Sequence, residues 1–134
     1  MLVSVDEMSA GLQSLVDLLI RNSADVLRDS EADMFPAFML SKVLPSPSAI
    51  SVVEFRPLTD AARVARETAR DLAKDMGAYV VAWDGYVHIG EDRTHAILLE
   101  AWEKSTDKAI LLAHRYSRKP FQLVGSLVRL DGEI

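Results

Sequence analysis

Apolar residues recur with a helical period in two segments of the chain. The first stripe consists of Met8, Leu12, Leu15, Leu19 and Val26. Ser4-Val5-Asp6-Glu7 has the form of a capping box ahead of it, so we predict a helix over about residues 6–29. In the second segment Thr59 is suited to cap the start of a helix and Gly77 its end, with an alanine-rich apolar face between them.

The other face of the second predicted helix is charged. It carries Arg63, Arg66, Glu67, Arg70, Asp71 and Lys74. Charges of both signs on one helix face are typical of a solvated surface. We therefore interpret this face as solvent-exposed rather than as a binding patch.

Strand patterns replace the helical period from Ala78 onwards. Asp84-Gly85 lies between two short β-branched and aromatic runs and suits a type I′ turn, which predicts a hairpin at that point. Further strands are predicted over residues 94–104, 108–116 and 121–130. Earlier in the chain, residues 49–56 have a strand pattern. Residues 34–40 contain Pro36 and predict an edge strand or an irregular extended segment.

The order of these elements predicts an α+β fold in a single domain over residues 1–134. We expect both helices to pack on one face of a twisted, mainly antiparallel sheet of about five to six strands. Two helices on one face would leave the other face bare. A bare apolar sheet face is typical of an interface with a second copy or a protein partner.

Composition narrows the classes of function. The 134 residues include no cysteine, which excludes thiolate metal sites and thiol nucleophiles. The net charge of -5 disfavours attraction to phosphate backbones, so nucleic acid is not an expected partner. Neither a basic leader nor a long apolar stretch is present. We expect a soluble cytoplasmic protein that does not bind membranes.

Two ionisable side chains, Glu100 and His114, interrupt the apolar runs AILLEA and AILLAH. If Glu100 lies opposite Leu112, His114 is its diagonal neighbour, and the carboxylate could orient the imidazole as a general base. A register shifted by one residue places the two side chains on opposite faces of the sheet. Both registers remain open, and so does a cross-strand polar pair without any chemistry.

The basic segment over residues 114–119 is a second candidate for ligand binding. Arg115 and Arg118 could clamp an anion, with Tyr116 or Trp102 as the wall of a pocket. A solvated strand end explains the same residues. The chain has three histidines, His88, His95 and His114. Their spacing matches no compact ligand motif, so neither a metal nor a cofactor is expected.

Four short motifs occur in the carboxy-terminal third. They are Trp83-Asp84-Gly85, Arg93-Thr94-His95-Ala96-Ile97, Glu100-Ala101 and His114-Arg115-Tyr116-Ser117-Arg118. In this pattern the chain resembles small uncharacterised bacterial proteins of unknown function. The resemblance implies no activity. It supports the strand interpretation and singles out Glu100, Arg115 and Tyr116 as residues to test.

Two functions of different classes follow from these observations. The first is a non-enzymatic interaction or assembly domain that forms a homodimer or binds a protein partner through its sheet. The alternative is a small-molecule-binding protein or enzyme with a Glu100 and His114 acid–base pair and an Arg115 and Arg118 anion clamp. The expected bare sheet face favours the first.

Overall fold

The computed structural model describes residues 8–29, 37–42, 51–55, 61–89, 91–117 and 121–130. In these ranges the helices are α1 (Ala10–Asp29) and α2 (Ala61–Leu72), and a 3₁₀ turn (Ala73–Asp75) extends α2. The strands are β1 (Ala37–Lys42), β2 (Ser51–Phe55), β3 (Ala78–Ile89), β4 (Asp92–Glu103), β5 (Lys108–Ser117), β6 (Gln122–Leu123) and β7 (Val128–Leu130). The predicted α+β class is confirmed.

The sheet has the strand order β2-β1-β3-β4-β5-β6, and β7 also pairs with β5. Every pairing between the described strands is antiparallel. The centre is the long pair of β3 and β4, in register from Ala78 opposite Glu103 to Ile89 opposite Asp92. Among β3 to β7, whose burial the structure describes, this pair holds most of the buried residues, and it positions the site described below.

The two helices cover opposite faces of the sheet, and not one face as expected. One hydrophobic cluster joins α1 to one face and includes Leu12, Leu15, Leu19, Val80, Leu99 and Leu112. A second cluster joins α2 to the other face and includes Ala65, Ala69, Tyr79, Val81, Leu98 and Trp102. Successive residues of a strand point to opposite faces, and residues 78–83 of β3 and 96–102 of β4 are apolar at every position except Glu100. Such continuous apolar runs belong to strands that are covered on both sides.

Helix α1 begins at Ala10, four residues later than predicted. The Ser9 hydroxyl accepts a hydrogen bond from the Leu12 N–H at 3.2 Å, so Ser9 is the N-cap. The buried Glu103 carboxylate at the end of β4 accepts the Ser9 N–H at 2.9 Å. The predicted capping box at residues 4–7 lies outside the described residues. A tertiary contact with the sheet therefore anchors the start of this helix.

The predicted turn at Asp84-Gly85 is wrong, because β3 continues through both residues. Gly85 pairs with Ala96, and a Cβ on Gly85 would lie 2.5 Å from the Leu98 Cδ1. The Asp84 carboxylate accepts a hydrogen bond from the Tyr116 hydroxyl at 2.7 Å. The glycine therefore allows a close side-chain approach, and the aspartate has a partner on β5. The two strands join instead between Ile89 and Asp92.

The predicted last strand is divided into β6 and β7, both paired with β5. Gly125 lies between them with a φ of 67°, in the left-handed region that favours glycine. The Arg115 guanidinium packs against it, since a Cβ on Gly125 would lie 2.8 Å from Nη2. The predicted strand over residues 49–56 is confirmed as β2, whereas the prediction of an edge strand or irregular segment near residues 34–40 is wrong, because β1 lies between β2 and β3. Residues 34–36 lie outside the described residues.

Candidate functional site

A buried carboxylate forms the centre of the polar contacts on the α2 face. Glu100 lies in the middle of β4 and its side chain is 1% exposed. Its Oε1 accepts hydrogen bonds from Nε and Nη2 of Arg66, both at 3.2 Å, and from Nη2 of Arg70 at 2.6 Å. Its Oε2 accepts from Nε of Arg70 at 3.3 Å and from the Tyr79 hydroxyl at 2.9 Å. Both carboxylate oxygens are therefore fully engaged.

Local structure explains why these partners meet. Arg66 and Arg70 lie four residues apart on α2, so their side chains project from neighbouring turns of one helix face. Ala65 and Ala69 precede them and are fully buried, which lets the helix approach the sheet closely. Tyr79 pairs with Trp102 across β3 and β4, so it is a diagonal neighbour of the carboxylate.

The Glu100 cluster, defined as Glu100, Arg66, Arg70 and Tyr79, carries one net positive charge. Two guanidiniums face one carboxylate, and the Arg66 and Arg70 side chains are 28% and 53% exposed. The hydrogen bond to Glu100 raises the pKa of Arg70, against the opposing effect of burial. Burial, and then the charge of Glu100, raises the pKa of Tyr79 well above its ordinary value. The phenol therefore stays protonated and remains a donor.

An open cleft of about 440 Å³ lies beside the Glu100 cluster, within the size range of small-molecule sites. It is lined by Arg70, Ala73, Tyr79, Trp102, Asp107 and Ala109. The rings of Tyr79 and Trp102 stack with centroids 5.6 Å apart. The Trp102 indole donates a hydrogen bond to the Asp107 carboxylate at 3.1 Å. The cleft thus combines a cation, an anion and an aromatic wall.

The predicted acid–base pair is not formed. Glu100 pairs with Leu111, and His114 pairs with Ile97, so the two side chains point to opposite faces of the sheet. His114 lies on the α1 face, where both ring nitrogens are shielded from solvent without a hydrogen bond of good geometry among the described residues. Burial lowers the pKa of His114, an effect that the Gly125 backbone opposes. An imidazole on the opposite face of the sheet cannot act on Glu100.

The predicted anion clamp is not assembled around Glu100 either. Arg115 pairs with Ala96, away from the cleft, and packs on Gly125. Tyr116 points to the opposite face, is 1% exposed and belongs to the core. Arg118 lies outside the described residues. Trp102 does line the cleft, as the hypothesis of a pocket wall requires.

Sequence reasoning missed Arg66 and Arg70, which were interpreted as part of a solvated face. A signal for their role was present in the sequence. Both arginines directly follow the alanines that bury α2, so they lie at the boundary of its buried face. A carboxylate in the middle of an apolar strand also requires cationic partners when the strand is buried.

Comparison of the chain with models of known protein families, with curated proteins and with solved structures gives no match. Within the described ranges, no three histidine or carboxylate side chains cluster closely enough to hold a metal ion. Neither of the two described helices combines the length and apolar composition needed to cross a membrane. The geometry of the cleft is therefore the basis for a functional proposal.

Proposed function

We propose that this protein binds a small organic anion in the cleft beside the Glu100 cluster, with Arg70 as the principal anion ligand. The proposal rests on the position, exposure and hydrogen bonds of Arg70. Its guanidinium is held by a buried carboxylate at 2.6 Å, yet its side chain is 53% exposed and lines the cleft. An arginine fixed in this way offers its remaining donors to a ligand at little cost in conformational entropy.

The donors of Arg70 support this role. Nε and Nη2 bond to Glu100, while about half of the side chain remains exposed where it lines the cleft. A guanidinium forms its strongest contacts with carboxylates and phosphates, to which it donates through two parallel N–H groups. Arg66 adds a second positive charge on the same carboxylate, so the cluster attracts anions although the chain as a whole is acidic.

The remaining lining favours a ligand with an apolar body. Tyr79 and Trp102 provide stacked rings, and Ala73 and Ala109 leave space beside them. A carboxylate attached to a flat or aliphatic group would place its charge on Arg70 and its body on the rings. We propose binding without catalysis, because the Glu100 carboxylate already accepts five hydrogen bonds.

Titration with matched probes tests this function. We expect 3-phenylpropionate to bind in calorimetry or NMR titrations and the uncharged 3-phenylpropionamide to bind at least about tenfold more weakly, as the loss of a charge-assisted hydrogen bond implies. Arg70→Gln should abolish the preference for the anion. Arg63→Gln is the matched control, since Arg63 lies on the same helix but pairs with exposed Glu67 at 3.5 Å. Equal binding of both probes, or of the anion to both variants, would overturn the proposal.

A second candidate function is assembly through the edge of the sheet. Both faces are covered by helices, so the argument from a bare face no longer holds. Among the described strands, however, β2 is an edge strand that pairs with β1 alone. An edge of this kind can pair with a second copy or with a partner strand. Light scattering across a range of protein concentrations tests it, and a constant monomer mass would contradict self-assembly.

A further inference from the structure

We infer that the ligand of the cleft is a zwitterion, a small molecule with a carboxylate, an amino group and an apolar body, as in an apolar α-amino acid. This inference rests on the proposed function, because it assigns the carboxylate to Arg70. It adds a second recognition group, Asp107, for the ammonium. The inference rests on one observation. Two side chains of opposite charge, Arg70 and Asp107, line one cleft together with the same pair of aromatic rings.

Asp107 is held in place by its turn and by the wall of the cleft. Its backbone N–H donates to the Glu103 carbonyl at 2.9 Å, which closes the turn between β4 and β5. Its φ is 51°, in the left-handed region that few residues other than glycine, asparagine and aspartate adopt. The Trp102 indole donates to Oδ1 at 3.1 Å. The carboxylate is therefore oriented before any ligand arrives.

Asp107 also keeps capacity for a ligand. Its side chain is exposed, and no hydrogen bond from a described residue reaches Oδ2. No ion pair joins Asp107 to Arg70 within the described part of the chain, so the two charges do not neutralise each other by contact. A carboxylate that keeps one oxygen available and a fixed guanidinium line the same cleft, which suits a ligand that carries both an ammonium and a carboxylate.

The alanines beside the two charges set the size of the ligand. Ala73 follows α2 directly, Ala109 is the second residue of β5, and both line the cleft. Larger side chains at these positions would fill the space in which the ligand body lies. A volume of about 440 Å³ accommodates an amino acid with an aromatic or branched side chain.

Three probes that differ only in their charged groups test the inference. They are L-phenylalanine, 3-phenylpropionate, which lacks the amine, and 2-phenylethylamine, which lacks the carboxylate. The chain has two tryptophans, so a ¹⁵N spectrum shows two indole N–H signals, and Trp83→Phe assigns them. We expect the Trp102 signal to shift on titration. L-phenylalanine should bind at least about tenfold more tightly than either analogue, as one additional charge-assisted hydrogen bond implies.

Variants separate this inference from the function on which it rests. Asp107→Asn should reduce L-phenylalanine to the affinity of 3-phenylpropionate while 3-phenylpropionate itself binds no more weakly. Asparagine tolerates a positive φ and its amide oxygen can still accept the indole N–H, so this variant should fold. Asp71→Asn removes the same charge from an exposed position next to Arg70 and is the matched control, with L-phenylalanine affinity unchanged.

The outcomes are distinguishable. If 3-phenylpropionate binds through Arg70 but L-phenylalanine binds no more tightly, or if Asp107→Asn behaves like Asp71→Asn, the zwitterion inference is overturned and the anion site stands. If neither probe shifts the Trp102 signal in a manner that depends on Arg70, the anion site itself is overturned, and the inference with it.

Discussion

The two faces of the central sheet are buried by different chemistry. On the α1 face a leucine-rich helix packs on aliphatic strand residues, and side chains such as Leu15, Leu19 and Leu99 have no exposed surface. On the α2 face the helix contributes alanines, and the strands contribute Tyr79 and tryptophans around a buried carboxylate. The α1 face is therefore mainly aliphatic, whereas the α2 face has a buried, ion-paired carboxylate at its centre.

The two faces therefore make different contributions to the protein. On the α1 face both the helix and the strands contribute large aliphatic side chains, so we expect this face to supply more of the hydrophobic stabilisation. Alanines bury little surface but bring α2 close enough for its arginines to reach Glu100. The α2 face consequently holds charged groups in fixed positions beside a cleft. We expect substitutions on the first face to change stability alone and those on the second to change stability and binding together.

The largest effect is expected on the α1 face. Leu19→Ala should lower the free energy of unfolding by about 3 kcal/mol, because it removes a fully buried side chain and leaves a cavity. Urea denaturation measures this loss. Binding of 3-phenylpropionate to the folded variant should stay unchanged. Leu18→Ala is the control, since Leu18 is partly buried on the same helix and should cost less. Equal losses for the two variants would contradict the assignment of the core.

A smaller loss of stability with a loss of binding is expected on the α2 face. Glu100→Gln removes the charge that two arginines share and should destabilise the fold by about 2 kcal/mol. The loss stays below that of a fully buried ion pair because Arg70 is half exposed and can be solvated. Anion affinity should fall as well, since Arg70 is no longer held in position.

Glu67→Gln is the matched control for Glu100→Gln in the same denaturation and titration experiments. Glu67 pairs with Arg63 on the surface of α2, where both side chains are about 60% exposed. Exposed pairs contribute less than about 0.5 kcal/mol, so this variant should behave as the wild type. If Glu100→Gln leaves both the stability and the anion affinity at their wild-type values, the prediction that substitutions on the α2 face change both is wrong.

The smallest effect concerns the pH dependence of the α1 face. Burial lowers the pKa of His114, so the unfolded chain binds a proton at a higher pH than the folded chain does. The free energy of unfolding therefore does not depend on His114 at pH values well above the unfolded-state pKa of about 6.5. It decreases as the pH falls below that value, because the unfolded chain then binds a proton more readily than the folded chain does. The decline is at most about 1.4 kcal/mol for each pH unit, and smaller because the ring is only half buried.

Denaturation at pH 7.5 and pH 5.5 measures this decline. His114→Gln should reduce the pH dependence between the two values, and His88→Gln, at an exposed position, is the control for the loss of one histidine. Equal pH dependence in the wild type and the His114 variant would show that His114 does not contribute. Anion binding at Arg70 should differ little between the variants, because His114 lies on the opposite face.

Local patterns were sufficient for some elements and misleading for others. The apolar periods predicted α1, α2 and the pairing of β4 with β5, and all three are confirmed. The dipeptide Asp84-Gly85 predicted a turn, yet both residues lie inside β3, where Leu98 of β4 packs on Gly85 and Tyr116 of β5 donates a hydrogen bond to Asp84. The turn preference of a dipeptide depends on its own two residues, whereas the side chains that pack on it come from other strands.

The sequence likewise indicated only part of the candidate site. The sequence identified Glu100 as an ionisable residue in an apolar strand and Trp102 as a possible pocket wall. It could not identify the partners of Glu100, because a shift of one residue in strand pairing exchanges the two faces. The observed register removes His114 from the site and brings Glu100 to the face that α2 covers.

By itself the sequence determined where the two helices and most of the strand segments lie, since the period of apolar residues is a local property of the chain. It also determined the α+β class and the lack of thiol chemistry. Only the tertiary structure decided which face each helix covers and which cations meet the buried carboxylate. The physical reason is that these contacts join residues 30 or more positions apart, and they depend on strand register and helix placement rather than on local preference.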